Sequence, residues 1–301
     1  MSNFIYINDV GPRDGLQNQA TILEPRIRIE LIRRLIDAGI PGIEICSFVN
    51  PKAVPAMSGA NQIVKALGDI TNSDLSVLVP NMKGYELARN AGAKTITVVP
   101  SATETMNQKN INMSLSKTVE SAKDILKTAT SDKLGTRAYI SVAWECPYEG
   151  KVDTSTILSI AEQLLESGAS ELILADTIGA TNPKDVGHLF REVSKIADVA
   201  ILSAHFHDTR ALGLANVVAA LNEGITKFDA CIGGLGGCPF APGAAGNLAT
   251  EDLCSMLHQM GYKTNVDLKK LLEVVQFISL QLEREIGGRM TPLFKKSNFS
   301  A

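Results

Sequence analysis

The stretch Ser167-Gly168-Ala169-Ser170-Glu171-Leu172-Ile173-Leu174-Ala175-Asp176 contains the local pattern that decides the fold. A helical segment ends in a small residue and a glycine, which readily adopts the left-handed conformation wanted at a helix C-terminus. A mostly apolar run follows and predicts a buried strand. The stretch therefore predicts a helix, a turn and a strand, with a carboxylate at the carboxyl end of the strand.

The same pattern recurs along the chain. Ala91-Gly92 precedes a predicted strand at 95–99, and Glu223-Gly224 precedes one at 227–232. Other strands are predicted at 5–7, 43–46, 75–79, 137–143 and 199–204. About eight strands alternating with helices predict a parallel α/β fold. The strand count and the polar residues at the strand ends favour a TIM (β/α)8 barrel; an open, doubly wound sheet is the alternative.

The domain organisation follows from the absence of a linker within this series. We expect a barrel domain over residues 1–264 and a C-terminal extension over residues 265–301, packed on the barrel. Within the extension, apolar residues at helical spacing predict one long helix over 265–286, followed by a loose tail from residue 290 onward.

Composition excludes several classes of protein. The chain has 301 residues, 45% of them hydrophobic, and a formal net charge of -3, so neither nucleic acid nor a membrane is an expected partner. No signal-like segment opens it. Five scattered cysteines indicate a reducing, cytoplasmic environment. Four of them, Cys46, Cys146, Cys231 and Cys254, are expected to be small packing residues.

Charged side chains occur at the first two predicted strands. Arg13 and Asp14 follow the first strand, in Val10-Gly-Pro-Arg-Asp-Gly-Leu-Gln17. Glu44 lies between two isoleucines, so alternation along the strand directs it into the barrel, where Arg13 is the obvious partner. On their own, these residues are also consistent with an exposed turn and a purely structural ion pair.

A pair of histidines ends the seventh predicted strand. His205 and His207 lie two residues apart and so share one face of the strand. The chain contains only four histidines, and this spacing favours a metal site. Asp208 is the nearby candidate for orienting an imidazole ring.

A glycine-rich segment over residues 233–243 follows the eighth strand. It lacks the lysine of a phosphate-binding P-loop, but it carries Cys238, which is either an acid on a mobile loop or an ordinary loop residue. Asn247 follows it. With Asp14 and the two histidines, Asn247 completes a set of oxygen and nitrogen ligands that suits Mg²⁺ or Mn²⁺, with Zn²⁺ also possible.

Two of these motifs resemble a known family. Val10 to Gln17 and Gly234-Leu-Gly-Gly-Cys-Pro-Phe240 closely resemble 3-hydroxy-3-methylglutaryl-CoA lyases, which belong to a barrel superfamily that includes isopropylmalate and homocitrate synthases. The likeness extends to the stretches 47–52, 145–150, 176–179, 205–209 and 246–252. It thus spans nearly the whole chain.

The resemblance implies a metal-dependent lyase acting on an acyl-CoA. It implies that Asp14, His205, His207 and Asn247 are the ligands of a divalent metal, and that Arg13 steadies an enolate oxygen. A proton must also leave the substrate hydroxyl, and Asp14, His205 or a bound water can accept it.

The resemblance implies further site residues. Cys238 matches the catalytic cysteine of the family, and Glu44 and Asp176 match acidic residues that support catalysis. Arg137 and Tyr139 match residues near the bound acyl group.

The chain departs from the family pattern in two places. Arg210-Ala211-Leu212 stands where family members commonly have Tyr-Gly-Gln, and Trp144-Glu145 replaces a smaller pair. Both changes are expected to face the pocket.

Several alternatives remain open on the sequence alone. The substrate is 3-hydroxy-3-methylglutaryl-CoA or a close relative such as citramalyl-CoA. Less favoured are a Claisen-type synthase, a ketoacid aldolase and a non-catalytic binding barrel. A homo-oligomer, dimeric or larger, is the default assembly.

Overall fold

Eight parallel strands close into a barrel in the computed structural model, which describes residues 3–237 and 246–298. Its strands, in order around the barrel, are β1 (Tyr6–Asp9), β2 (Gly42–Ser47), β3 (Asp74–Leu78), β4 (Thr95–Val98), β5 (Gly135–Ile140), β8 (Glu171–Asp176), β9 (Leu202–Phe206) and β10 (Lys227–Ala230). A short hairpin, β6 (Glu145–Cys146) and β7 (Gly150–Lys151), lies outside it. Because β10 pairs with β1, the predicted barrel is confirmed and the open sheet is excluded.

Helices surround the barrel. They are α1 (Pro25–Asp37), α2 (Ala60–Ala66), α3 (Met82–Ala91), α4 (Glu104–Ile111), α5 (Leu115–Ser131), α6 (Thr154–Glu166), α7 (Pro183–Val193), α8 (Gly213–Asn222), α9 (Thr250–Gln259), α10 (Leu268–Gln281) and α11 (Met290–Asn298). Gly92, Gly168 and Gly224 have φ angles of 96°, 98° and 87°, as the repeated pattern predicts. Among the described helices, none combines the length and apolar character that crossing a bilayer requires.

The main apolar core lies between the strands and the helices, whereas much of the barrel interior is polar. Along β10, Phe228 packs in the main core while Asp229 binds residues of other barrel strands. Tyr139, Ile173 and Ala175 form a separate small apolar cluster. The polar interior supplies the side chains of the candidate site.

The seventh barrel strand begins later than the sequence predicts. Residues Val199–Ile201 form a 3-10 turn, and β9 starts at Leu202. The Asp198 carboxylate accepts a hydrogen bond of 2.9 Å from the Ala200 N–H. This local bond offers the backbone an alternative to strand pairing.

The C-terminal extension also differs from expectation. Helix α10 ends at Gln281, and Glu283 adopts a φ of 53°. Residues 290–298, predicted to be a loose tail, form helix α11. The Asp252 carboxylate accepts hydrogen bonds of 2.7 and 2.9 Å from the Arg289 and Met290 N–H groups. This distant carboxylate satisfies amides at the start of α11, which local sequence does not reveal.

Candidate metal centre

The first βα connection brings two charges to the mouth of the barrel. After β1 the chain forms a π-helical turn, Gly11–Gly15, in which the Val10 carbonyl accepts from the Asp14 N–H at 2.7 Å. Arg13 is 7% exposed, and its guanidinium donates to Asp14 Oδ1 at 2.6 Å and to the fully buried Glu44. An exposed turn is therefore excluded, because this ion pair lies inside the barrel.

The two carboxylates keep the arginine charged. Burial alone would lower the pKa of Arg13, but the negative charges of Glu44 and Asp14 outweigh it and raise that pKa. Arg13 therefore carries a positive charge at every relevant pH.

The strand β9 presents the histidine pair as the alternation of side chains predicts. The rings of His205 and His207 lie 5.3 Å apart between centroids, and both side chains are buried. One ligand atom from each histidine and one from Asp14 all lie within 4.8 Å of one another. Three side chains of the kinds that can bind a metal thus meet at one point.

Asn247 lies beside this triad. It forms an antiparallel bridge with His207, and its Nδ2 donates to Asp14 Oδ2 at 2.7 Å and to the Leu235 carbonyl at 3.1 Å. The close packing requires a glycine at position 236, where φ is 124° and a Cβ atom would lie 2.5 Å from Asn247 Nδ2.

The electrostatics of Asp14 and His207 suit a divalent cation. Burial raises the pKa of Asp14, but the charges of Arg13, His205 and His207 outweigh it and keep that pKa below its ordinary value. Burial and the charge of His205 lower the pKa of His207 to about 4, which leaves its imidazole neutral at pH 7. Among the described residues, His207 Nδ1 and Asn247 Oδ1 are buried without a hydrogen-bond partner. Ionised carboxylate, neutral imidazole and amide oxygen together form a suitable set of metal ligands.

Asp229 is a site residue that the sequence analysis missed. Its Oδ2 lies 3.2 Å from His205 Nδ1 and accepts from the Tyr139 hydroxyl, while its Oδ1 accepts from Asn8 Nδ2 at 2.9 Å and from Arg137 at 3.0 Å. Burial raises the pKa of Asp229, but the charge of Arg137 and the bond to His205 outweigh it and leave that pKa well below its ordinary value. One signal in the sequence could have found it: Asp229 follows the apolar Phe228 in β10, and side chains alternate along a strand, so Asp229 faces the barrel interior.

Asp208, the candidate that the sequence suggested for orienting a histidine, has another role. Its Oδ1 accepts from the Gly213 N–H at 2.8 Å, at the start of α8. The partner of His205 is instead on the neighbouring strand β10. The carboxylate nearest in sequence is thus not the one that binds the ring.

Arg137 and Tyr139 lie on successive inward positions of β5. The Tyr139 ring lines the cavity at the mouth and meets the His205 ring edge-on at 5.9 Å between centroids. Arg137 is buried and bound to Glu171 and Asp229 at 3.1 and 3.0 Å. The structure therefore brings Tyr139 to the triad directly and Arg137 through Asp229.

Asp176 ends β8 beside the same mouth. Its carboxylate accepts from the Ala180 and Thr181 N–H groups at 2.9 and 3.2 Å. Burial raises its pKa to about 6, although these two amides and the charge of His205 act in the opposite direction. Asp176 thus holds the backbone of the following loop.

A cavity of about 260 Å³ opens over the triad. Its polar wall includes Gln17, Ser141 and Thr177, and an apolar wall extends to Met106 and Ile125. Gly237 also lines it. Cys238, the next residue in sequence, lies outside the described residues.

The two departures from the family pattern contact each other. Trp144 packs against Phe190 and Phe206 in the core, and neither Trp144 nor Arg210 lines the cavity, contrary to expectation. Glu145 lies 3.7 Å from Arg210, whose Nη1 also donates to the Ala180 carbonyl at 2.7 Å. The indole Nε1 of Trp144 donates to the Asp185 carbonyl at 3.2 Å, and Val142, two residues earlier, has a φ of 51°.

The chain is similar to known proteins over almost its whole length. The HMGL-like family model matches residues 4–278. The chain is 43% identical to the hydroxymethylglutaryl-CoA lyase YngG of Bacillus subtilis, over 97% of this chain and 98% of that protein, and 41% identical to the mitochondrial hydroxymethylglutaryl-CoA lyase of Rattus norvegicus, over 95% and 88%. A solved structure of an HMG-CoA lyase from Acinetobacter baumannii, in complex with coenzyme A and 3-methylmalate, superposes with a TM-score of 0.93 at 34% identity, covering 97% of this chain and 95% of that one. The chain therefore belongs to the HMGL-like family.

Proposed function

We propose that this chain is a divalent-metal-dependent lyase that cleaves 3-hydroxy-3-methylglutaryl-CoA into acetyl-CoA and acetoacetate. The observation that carries the proposal is the convergence of Asp14, His205 and His207 beside the buried cation of Arg13. The names of the relatives support the reaction, and the coenzyme A complex of the Acinetobacter protein supports an acyl-CoA as the substrate.

The proposed metal ligands are Asp14, His205, His207 and Asn247, and the proposed ion is Mg²⁺ or Mn²⁺. When bound, the ion would polarise the substrate hydroxyl and lower its pKa.

The proposed reaction is a retro-Claisen cleavage. The hydroxyl on C3 loses its proton to Asp14, His205 or a bound water, and its oxygen becomes the ketone of acetoacetate. The C2–C3 bond breaks, and its electron pair passes to the acetyl-CoA enolate. The guanidinium of Arg13, already desolvated and held by Glu44, offers positive charge to the enolate oxygen.

Protonation of the enolate carbon completes the reaction, and Cys238 is the proposed acid. A neutral thiol can donate this proton, and the preceding residue, Gly237, lines the cavity. Cys238→Ala should therefore lower kcat by about 10²- to 10⁴-fold. An unchanged kcat at saturating substrate would contradict the assignment.

The remaining proposed site residues act around this centre. Glu44 holds Arg13, and Asp176 holds the loop that follows β8. Arg137 and Tyr139 are proposed to shape the site next to the acyl group, with Tyr139 lining the cavity.

The acyl group is the part of the proposal that most needs a direct test. We would compare acetyl-CoA release from 3-hydroxy-3-methylglutaryl-CoA and from citramalyl-CoA, at equal enzyme and Mn²⁺ concentrations. The expected result is a higher kcat/KM for the hydroxymethylglutaryl thioester. A preference for citramalyl-CoA would correct the acyl group, and no cleavage of either thioester would contradict the proposed lyase.

A further inference from the structure

A fully buried cation that the proposed mechanism does not use lies beside the site. Arg28 is in the first turns of α1 and has no exposed surface. Within residues 3–237 and 246–298, its guanidinium forms no ion pair with a carboxylate; instead it donates to backbone carbonyls and to Met57 Sδ at 3.6 Å. Burial lowers its pKa accordingly. Burying an uncompensated charge is costly, so this residue requires an explanation.

The carbonyls that Arg28 binds belong to the segments that carry Arg13 and Glu44. Its Nη2 lies 3.4 Å from the Pro12 carbonyl oxygen and 3.4 Å from that of Ile45. The Pro12 carbonyl forms the peptide bond to Arg13, and Ile45 follows Glu44 directly. One nitrogen atom therefore joins the backbones of both partners in the buried ion pair.

The strand at this contact is irregular. The pairing of β2 with β3 shifts register between Glu44 and Cys46, which places Ile45 in a bulge. A bulge leaves backbone groups outside the regular ladder and redirects a neighbouring side chain. Arg28 donates to the carbonyl of the bulged residue, Ile45. The side chain next to the bulge is that of Glu44.

The other end of the guanidinium fixes a third segment. Its Nη1 donates to the Ala56 and Ser58 carbonyls, both at 3.1 Å. These residues flank Met57 and follow Val54, which lines the cavity. A planar guanidinium can hold all these acceptors at once because its donors have a fixed geometry.

We propose that Arg28 is a positioning residue, which fixes the Arg13 guanidinium against Glu44 by joining the Pro12 turn to the Ile45 bulge. The kinetic consequence rests on the proposed function, in which Arg13 steadies the enolate oxygen. The effect on the position of Arg13 does not rest on the proposed function, so position and kinetics are tested separately.

The positional test is a crystal structure of Arg28→Met, a variant that keeps an unbranched side chain but has no N–H donors. The expected result is a displaced Arg13 side chain that no longer contacts Glu44, while His205 and His207 keep their positions. An Arg13–Glu44 contact identical to that of the wild type would overturn the proposal, whatever the enzyme catalyses.

The kinetic test compares Arg28→Met, Arg28→Lys and wild type in the hydroxymethylglutaryl-CoA assay. Misplacing a catalytic group by about 1 Å can cost about 10²-fold, so kcat of Arg28→Met should fall about 10- to 100-fold with a smaller change in KM. Arg28→Lys, which keeps donors and charge, should recover part of kcat. Mn²⁺ affinity should be unchanged in both. A wild type without activity would count against the proposed function alone, leaving the crystal structure to decide on Arg28.

A control separates positioning from stability. Leu35→Ala removes a fully buried side chain from the same helix, seven residues further along. It should lower the melting temperature but leave kcat unchanged at temperatures where it is folded. If it lowers kcat as much as Arg28→Met does, the effect is general destabilisation and the proposal fails.

If Arg28→Met does not fold, structures and kcat values of Arg28→Lys and Arg28→Gln replace it: a graded loss of both the Arg13–Glu44 contact and kcat supports the proposal, and wild-type behaviour of both overturns it.

Discussion

Asp229 Oδ2 lies 3.2 Å from His205 Nδ1, across neighbouring strands on the inner face of the barrel. The same carboxylate group binds Asn8, Arg137 and Tyr139, so its position is fixed by two further strands, β1 and β5. A carboxylate held in this way fixes which imidazole nitrogen carries a proton and which is free to bind a metal.

Replacing this carboxylate should weaken metal binding. Asp229→Asn is expected to lower Mn²⁺ affinity about 10- to 100-fold, the usual effect of losing an outer carboxylate. Free Mn²⁺ measured by electron paramagnetic resonance gives the dissociation constant. Asp208→Asn is the matched control, because Asp208 caps α8 and does not bind His205. Equal losses of affinity in the two variants would argue against the role of Asp229.

His207 should matter more for the metal than for folding. His207→Ala removes a buried imidazole whose pKa is lowered to about 4 and whose Nδ1 has no described partner. We expect Mn²⁺ affinity to fall by more than 10-fold, while the unfolding free energy of the metal-free protein changes by about 1–2 kcal/mol. Titration calorimetry and urea denaturation measure the two quantities. A large loss of stability with unchanged Mn²⁺ affinity would contradict the assignment.

The charge of Glu44 should be needed for turnover. In Glu44→Gln, Asp14 is the one ionised partner that Arg13 keeps among the described residues, so kcat/KM is expected to fall by about 10-fold or more. Glu171→Gln is the comparison, because it also weakens an ion pair of a buried arginine, here Arg137. Steady-state kinetics should show the larger effect at Glu44. A larger effect at Glu171 would mean that turnover depends more on the Arg137–Glu171 pair than on the Arg13–Glu44 pair.

Asp9 should make the folded protein less stable as pH rises. Burial raises its pKa from 3.8 to about 7, although the Thr250 hydroxyl and the Gly11 amide act in the opposite direction. The folded state therefore holds a proton that the unfolded state has lost between pH 4 and pH 7. The contribution of Asp9 to the unfolding free energy is therefore full below pH 4 and declines up to about pH 7. One pKa unit corresponds to about 1.4 kcal/mol, so the loss is at most about 4 kcal/mol.

The corresponding measurement is the unfolding free energy of Asp9→Asn between pH 4.5 and pH 8. The variant should lose less stability than the wild type over this range, because its side chain does not titrate. If both proteins lose the same amount, the pKa of Asp9 is not raised in the folded state.

Local patterns predicted most of the fold and the convergence of Asp14, His205 and His207. Helix-ending glycines located the βα units, and the two-residue spacing of His205 and His207 placed both rings on one face. Asp229 was missed because its contact with His205 depends on the order of strands around the closed barrel, which periodicity does not specify.

Other differences have the same physical origin. Helix α11 begins where the distant Asp252 binds its first amides, and the sequence around residue 290 contains no sign of that contact. Trp144 was expected in the pocket because it follows a strand, but it packs against Phe190 and Phe206 in the core. Both outcomes depend on contacts with residues far away in the sequence, and local residue type does not determine them.

Metal-dependent cleavage is tested by measuring acetyl-CoA and acetoacetate formed from 3-hydroxy-3-methylglutaryl-CoA, before and after the metal is removed with a chelator. We expect equal amounts of the two products with Mn²⁺ or Mg²⁺ present, almost none after chelation, and recovery when either ion is restored. Cleavage at an unchanged rate after complete metal removal, or no cleavage with metal present, would contradict it.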